Sequence, residues 1–176
     1  ITVRFREEAG PRPFADVPED YWANDAIRWA MESGYMSGTL ESIFTPEGAV
    51  TRQQVWMILA RFSGSSPADM AQAAAWATES GISDGTTPGG AVSRQQLAAM
   101  LYRYAQNQGQ GFTGAWTFPL DYPDAEAVSE YAYEPLCWMT MNGIITGTTQ
   151  GMLNPRDGAT RAQFAVMLQR FAQALG

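Results

Sequence analysis

Thr51-Arg52-Gln53-Gln54, Ser93-Arg94-Gln95-Gln96 and Thr160-Arg161-Ala162-Gln163 are three versions of one phrase, and each opens the same apolar pattern. Counted from the arginine, positions +3, +6, +7 and +10 are apolar in every copy. They are Val55, Ile58, Leu59 and Phe62, then Leu97, Met100, Leu101 and Tyr104, then Phe164, Met167, Leu168 and Phe171. This is the stripe of an amphipathic helix. Thr51, Ser93 and Thr160 are N-cap residues, and Gln54, Gln96 and Gln163 complete a capping box three positions on. Self-similarity at this scale predicts a modular helical architecture. The repeat also sets three equivalent arginines at helix starts, where a cation opposes the macrodipole. A penalty repeated three times implies a use.

Upstream of each phrase lies a second regularity. Trp29, Trp76 and Trp138 are followed five residues later by Gly34, Gly81 and Gly143, and four later again by Gly38, Gly85 and Gly147. The loop from there to the arginine phrase is equal in the first and third units and five residues shorter in the second. The segments before the first glycine predict helices over about Pro18 to Ser33, Pro67 to Ser80 and Glu126 to Asn142, with Pro135 kinking the last or delaying its start. Gly34, Gly81 and Gly143 fall where a left-handed residue ends a helix. Tyr35-Met36, Ile82 and Ile144-Ile145 then drop apolar anchors into the core. Trp29, Trp76 and Trp138 are read as core residues, whereas Trp22 and Trp116 are freer to meet a ligand. Arg61, Arg103 and Arg170 lie near helix ends, where positive charge suits the dipole. Each unit is thus helix, turn, loop, helix, and no unit can bury its apolar stripe alone. The expected division is a preceding region or linker over 1–13, then units over 14–64, 65–110 and 111–176 forming one domain. Gln106 to Thr117 reads as an exposed connector.

Composition removes several function classes. In 176 residues the net charge is −7, which opposes general nucleic-acid binding. No apolar run approaches the length of a membrane span, so no membrane insertion is expected. Histidine is absent and Cys137 stands alone, which removes the usual general base, the cysteine-rich zinc site and any internal disulfide. No metal or cofactor is expected. A glycosidase needs two carboxylates facing across a cleft, and Glu32, Glu41, Glu47, Asp84 and Asp157 have no distinctive spacing. The chain is therefore read as a non-enzyme. Ile1 to Phe5 alternates like a strand and Glu7 to Pro13 reads as a linker, as in a piece of a longer protein.

Phe14-Ala15-Asp16-Val17-Pro18, the Trp-x4-Gly-x3-Gly spacing and the Thr-Arg phrase together resemble the S-layer homology domain family, over roughly Phe14 to Leu175. The resemblance implies an all-α, pseudo-three-fold bundle of three tandem repeats. It implies non-covalent anchoring of an exported protein to a secondary cell-wall polysaccharide of bacteria, commonly pyruvylated, with an arginine holding the carboxylate. That role carries over to Arg52, Arg94 and Arg161, and the location implied is extracellular, at the cell wall. The chain departs from the family where its phrase has glutamate, since glutamine stands there in all three units. The second unit also lacks the Phe-x-Asp-Val opening, and Phe118 to Asp124 matches it only loosely.

A helix mouth offers free amides to an anion, and an arginine adds a planar fork that fits a carboxylate. Thr51, Ser93 and Thr160 at those mouths, Gly48 and Gly158 beside them, Trp22 as a sugar platform and Asp16 complete the expected ligand set. Arg52 and Arg161 are expected to matter more than Arg94, because the second unit is altered. With three repeats in one chain the protein is expected to be monomeric. The competing reading is a helical-repeat module that binds another protein at the cell surface.

Overall fold

The computed structural model describes residues 14–176, so the strand and linker readings of the first thirteen residues lie outside it. Six helices follow in order: α1 (Asn24–Glu32), α2 (Arg52–Phe62), α3 (Met70–Glu79), α4 (Arg94–Asn107), α5 (Glu130–Met141) and α6 (Arg161–Leu175), with a 3-10 turn at Ala125–Ala127. The fold is all-α, as the periodicity predicts. α2, α4 and α6 start at the three arginines because the capping boxes form. The cap amides of Thr51, Ser93 and Thr160 donate to the glutamine side chains at 3.0, 2.9 and 3.1 Å, and each cap hydroxyl accepts from the amide of the same glutamine.

The other three helices are shorter than periodicity alone suggests. α1 begins at Asn24, not Pro18, because Pro18 to Tyr21 is spent in turns: Tyr21 N–H donates to Pro18 O, and Asn24 donates to Tyr21 O and, through its side chain, to Pro18 O. α3 begins at Met70 because Asp69 caps it, its side chain accepting from Gln72 N at 2.9 Å. α5 starts at Glu130, after the 3-10 turn, and keeps Pro135 inside. With no N–H, Pro135, the sixth residue of α5, leaves the carbonyl of Tyr131 without its helical partner.

All three of these helices end as expected. Gly34, Gly81 and Gly143 have φ of +78°, +73° and +68°. Each glycine N–H bonds back to the carbonyl three residues earlier, while the next residue reaches further back, to Ala30, Ala77 and Met139. This paired closure drives the following side chain inward. Met36, Ile82, Ile144 and Ile145 are accordingly buried, as are Cys137 and Trp138, while Trp29 and Trp76 are half-buried against the core.

Packing joins one unit to the next. α2 lies on α3, α4 on α5, and α6 returns to α1. A backbone cycle closes the same circuit: Val92 N donates to Val50 O at 2.9 Å, Ala159 N to Val92 O at 2.8 Å, and Val50 N to Ala159 O at 3.1 Å. Towards the C-terminal ends of α2, α4 and α6 the +10 aromatics meet as a triangle, with ring centroids 5.4 Å apart for Phe62–Tyr104, 5.8 Å for Tyr104–Phe171 and 5.9 Å for Phe62–Phe171. The apolar stripes fill the space between cycle and triangle. Removing one corner leaves a cavity where both neighbours had a partner. Phe171→Ala is expected to cost about 3–5 kcal/mol, read as a lowered urea midpoint with an unchanged slope.

Candidate functional site

Each helix-opening arginine reaches forward, into the loop of the following unit. Arg52 Nε donates to Thr86 O at 2.7 Å, Arg94 Nε to Leu153 O at 2.8 Å and Arg161 Nε to Phe44 O at 2.9 Å. Those acceptors occupy one structural position. The residue after each is left-handed, with φ of +58° at Thr45, +50° at Thr87 and +47° at Asn154, and a proline follows. Left-handed backbone is costly for non-glycine residues, so tertiary contacts must hold these loops.

Carboxylates supply part of that hold. Asp16 accepts from the amides of Phe44 and Thr45 at 2.9 and 2.8 Å, and Asp124 from those of Leu153 and Asn154 at 2.9 and 2.8 Å. Phe44 and Leu153 are thereby gripped on both sides, amide by aspartate and carbonyl by arginine. Asp16 was expected at the ligand, but both its oxygens are engaged inside the loop. In the second unit, which has no aspartate at that place, Asp84 does the work locally. Its Oδ1 accepts from Thr86 N at 2.9 Å, from Thr86 Oγ1 at 2.7 Å and from Arg52 Nη2 at 2.9 Å. Those Thr86 bonds, backbone first, and the Arg52 charge hold the Asp84 carboxyl below its usual range.

The helix mouths are not open anion sites, contrary to the sequence reading. Arg52 N and Gln53 N donate to Gly90 O and Pro88 O, Arg94 N and Gln95 N to Asp157 O and Pro155 O, and Arg161 N and Ala162 N to Gly48 O and Pro46 O. Thr51, Ser93 and Thr160 use their hydroxyls in the capping boxes. Gly48 serves as an acceptor, and a Cβ there would meet Thr45 Cγ2 at 2.8 Å; Gly158 pairs with Ser93. Neighbouring loops have taken the places the sequence reserved for a ligand, because the chain satisfies its own buried amides first.

What stays available is side-chain chemistry beside two cavities. One, of about 410 Å³, is bordered by Arg94, Arg170, Gln163, Trp22 and the loop Thr146–Thr149. The other, of about 540 Å³, is bordered by Arg52, Arg103, Gln96, Tyr131, Ser83 and Asp84. Both combine the same four parts: the arginine of one unit, the capping-box glutamine and C-terminal arginine of the next, and an aromatic from the one after. Trp22 is 61% exposed and Tyr131 49%. Of the expected ligand set, the fold therefore brings Trp22 and Arg94 together. Arg103 and Arg170 were read as dipole partners only. Instead Arg103 donates to Ile82 O at 2.9 Å and Arg170 to Thr146 Oγ1 at 3.5 Å, and each borders a cavity. A signal for Tyr131 was present, since it stands seven residues before Trp138 as Trp22 stands before Trp29; Asp69 holds that register in the second unit. Trp116, expected to be free, stacks on Phe112 at 4.0 Å and donates to Glu134.

The three guanidinium groups differ in what remains of them. Arg52 Nη2 is committed to Ser83 Oγ and to Asp84, the one ion pair among the described residues. Arg161 is 7% exposed, donates from Nη2 to Ser37 O and lies 4.6 Å over the Phe44 ring. Arg94 is 6% exposed, and among the described residues its two terminal nitrogens have no hydrogen-bond partner. Burial pushes the Arg94 guanidinium below its ordinary value, with Asp157 and Asp124 pulling the other way. An arginine stays charged through such a shift. Sequence reasoning discounted Arg94 because it belongs to the altered second unit; in fact the shortened loop of that unit faces Arg52.

The S-layer homology domain model matches residues 13–55 and 121–165, half of the chain. The chain belongs to the S-layer homology domain family. The matched segments are those carrying Phe14–Asp16 and Asp124, and the segment with the shortened loop lies between them. No match is found among curated proteins. Domains of this family are binding modules that hold proteins at the bacterial cell surface, typically through cell-wall polysaccharide, which puts this chain outside the cell, at the wall. Among the described residues no helix is long and apolar enough to cross a membrane.

The aspartate clamp makes an acid-side prediction. Burial opposes the Asp124 charge, but the amides of Leu153 and Asn154, with Arg94 nearby, hold its carboxyl below the ordinary range. Its contribution is complete above the unfolded carboxylate pKa of about 4 and disappears as pH falls through the lower folded value. Asp124→Ala is expected to cost about 1–3 kcal/mol at pH 7 by stranding two amides. Its stability deficit relative to the wild type should shrink as pH is lowered below about 4, measured by urea unfolding across pH.

Proposed function

We propose that this chain anchors an exported protein, without covalent bonds, to a pyruvylated secondary cell-wall polysaccharide, and that the Arg94 cavity is the principal site.

 The ligand is an acidic glycan, and its pyruvyl carboxylate is the group that the arginine receives. One observation carries this reading. The Arg94 guanidinium is held by its Nε on Leu153 O, is almost fully buried, and keeps both terminal nitrogens for an incoming partner. A fork of two parallel N–H groups matches a carboxylate, and a hydrogen bond to a charged group contributes about 1.5–3 kcal/mol. Arg170 brings a second cation to the same cavity, Trp22 a flat apolar face for a sugar ring, and Thr146 and Thr148 hydroxyls for its polar edge. Gln163 borders the cavity where the family pattern has glutamate, so no negative side chain stands there to repel the ligand.

The units over 14–64, 65–110 and 111–176 are then three repeats of one pseudo-three-fold domain, which the cyclic hydrogen bonds of Val50, Val92 and Ala159 support. Each cavity draws on all three units, so the domain binds as a whole. A protein-binding module is less well supported, because each cavity sets two arginines and a glutamine beside one exposed aromatic ring.

Isolated wall sacculi should retain the protein, and retention should vanish once the non-peptidoglycan polymer is removed. Retention that survives the removal would refute the polysaccharide reading. In titration calorimetry with a pyruvylated wall disaccharide, Arg94→Ala should weaken binding at least tenfold, or about 1.4 kcal/mol. Arg94→Lys should not restore it, since an ammonium cannot form the fork. Trp22→Ala, a change at an exposed ring, should weaken binding several-fold with an unchanged melting temperature.

A further inference from the structure

Two cavities share one plan but differ in a single charged group, and this difference rests on the carboxylate-binding reading of the arginines. Around Arg94 no carboxylate among the described residues borders the cavity. Around Arg52 one does: Asp84, with its Oδ1 at 2.9 Å from Arg52 Nη2. That same nitrogen also donates to Ser83 Oγ at 2.9 Å, and Nε is taken by Thr86 O. A single terminal nitrogen, Nη1, is left, and one nitrogen cannot make the paired contact that a carboxylate takes from an arginine. The guanidinium is also neutralised where it stands. We infer that Asp84 is the selectivity-determining residue of the Arg52 cavity: it fills the place of the ligand's carboxylate and so keeps an acidic glycan out.

The placement of Asp84 is a consequence of the shortened loop. In the first and third units the loop amides are clamped by Asp16 and Asp124, which come from the opening of the unit and make no ion pair with the arginine. The second unit has no such aspartate. Asp84 clamps Thr86 from two residues away and, being on the cavity side, meets Arg52 as well. Its side chain is 68% exposed, so the contact with Arg52 is held by the Thr86 turn and not by burial. The wild-type chain is thus expected to take one acidic glycan, at Arg94, although the Arg52 cavity is the larger of the two.

Titration calorimetry with the pyruvylated wall disaccharide reads this as a stoichiometry. The substitution of choice is Asp84→Ser, because serine can still accept from Thr86 N–H in the same turn while being too short to reach Arg52. Asp84→Ala is the companion variant, which removes both the charge and the atom that occupies Arg52 Nη2. Either folded variant should bind two disaccharides where the wild type binds one, and the added site should disappear in Asp84→Ser combined with Arg52→Ala. The same disaccharide without its pyruvyl group should gain no second site. An unchanged stoichiometry in both folded variants would overturn the inference, as would wild-type protein that already fills two sites. Arg94→Ala in the wild-type background separates the two levels of the argument. If it leaves the first site intact, the reading of Arg94 fails, while the Asp84 variants still decide the Arg52 cavity on their own.

Discussion

The hydrogen-bond cycle through Val50, Val92 and Ala159 is the constraint from which the remaining geometry follows. It brings the three loop-to-helix junctions to one place, so each helix mouth faces a loop from a different unit. Once there, the first amides of α2, α4 and α6 find backbone carbonyls at 2.8–2.9 Å, and the arginine side chains have nowhere to go but forward along the neighbouring loop. The aromatic triangle of Phe62, Tyr104 and Phe171 holds the same three helices together further along. A bundle closed at both ends leaves its clefts on the outside, between units.

The arginines show how one motif acquires three characters. All three spend Nε on a loop carbonyl, which fixes the plane of the guanidinium. The terminal nitrogens then depend on what the loop presents: Ser83 and Asp84 at Arg52, Ser37 O and the Phe44 ring at Arg161, and an open cavity at Arg94. An exposed pair such as Arg52–Asp84 contributes little to stability. A buried guanidinium without a carboxylate partner is a greater expense, and the structure retains two, Arg161 on Ser37 O and the Phe44 ring and Arg94 beside a cavity. At Arg94 the loop carbonyl and the more distant charges of Asp124 and Asp157 make this tolerable.

Much of this was legible in the residues. The starts of α2, α4 and α6 and their N-caps could be placed to the residue, because a capping box is a local device closed within four positions. The glycine terminations were equally local. The starts of α1, α3 and α5 were not, since turns at Pro18, the Asp69 cap and a 3-10 turn at Ala125–Ala127 delay each helix past the first apolar residues. Arg94 and Trp22 were named as ligand residues and do border one cavity, but they are 72 positions apart, and nothing in the local sequence joins them. Arg103 and Arg170 were passed over because a helix-dipole explanation sufficed for each.

By itself the sequence determined the helices, their caps, the repeat and the family, since all of these rest on contacts between residues a few positions apart or on a pattern written three times. Only the tertiary structure decided which arginine is open. That depends on the loop each one meets, and the loop belongs to the next unit, brought there by the closure of the bundle. A local reading pairs Arg94 with the shortened loop that precedes it; packing pairs Arg94 with the full-length loop that follows α5, and Arg52 with the short one. Side chains meet according to where the backbone puts them, and in this chain the backbone carries every arginine across a unit boundary.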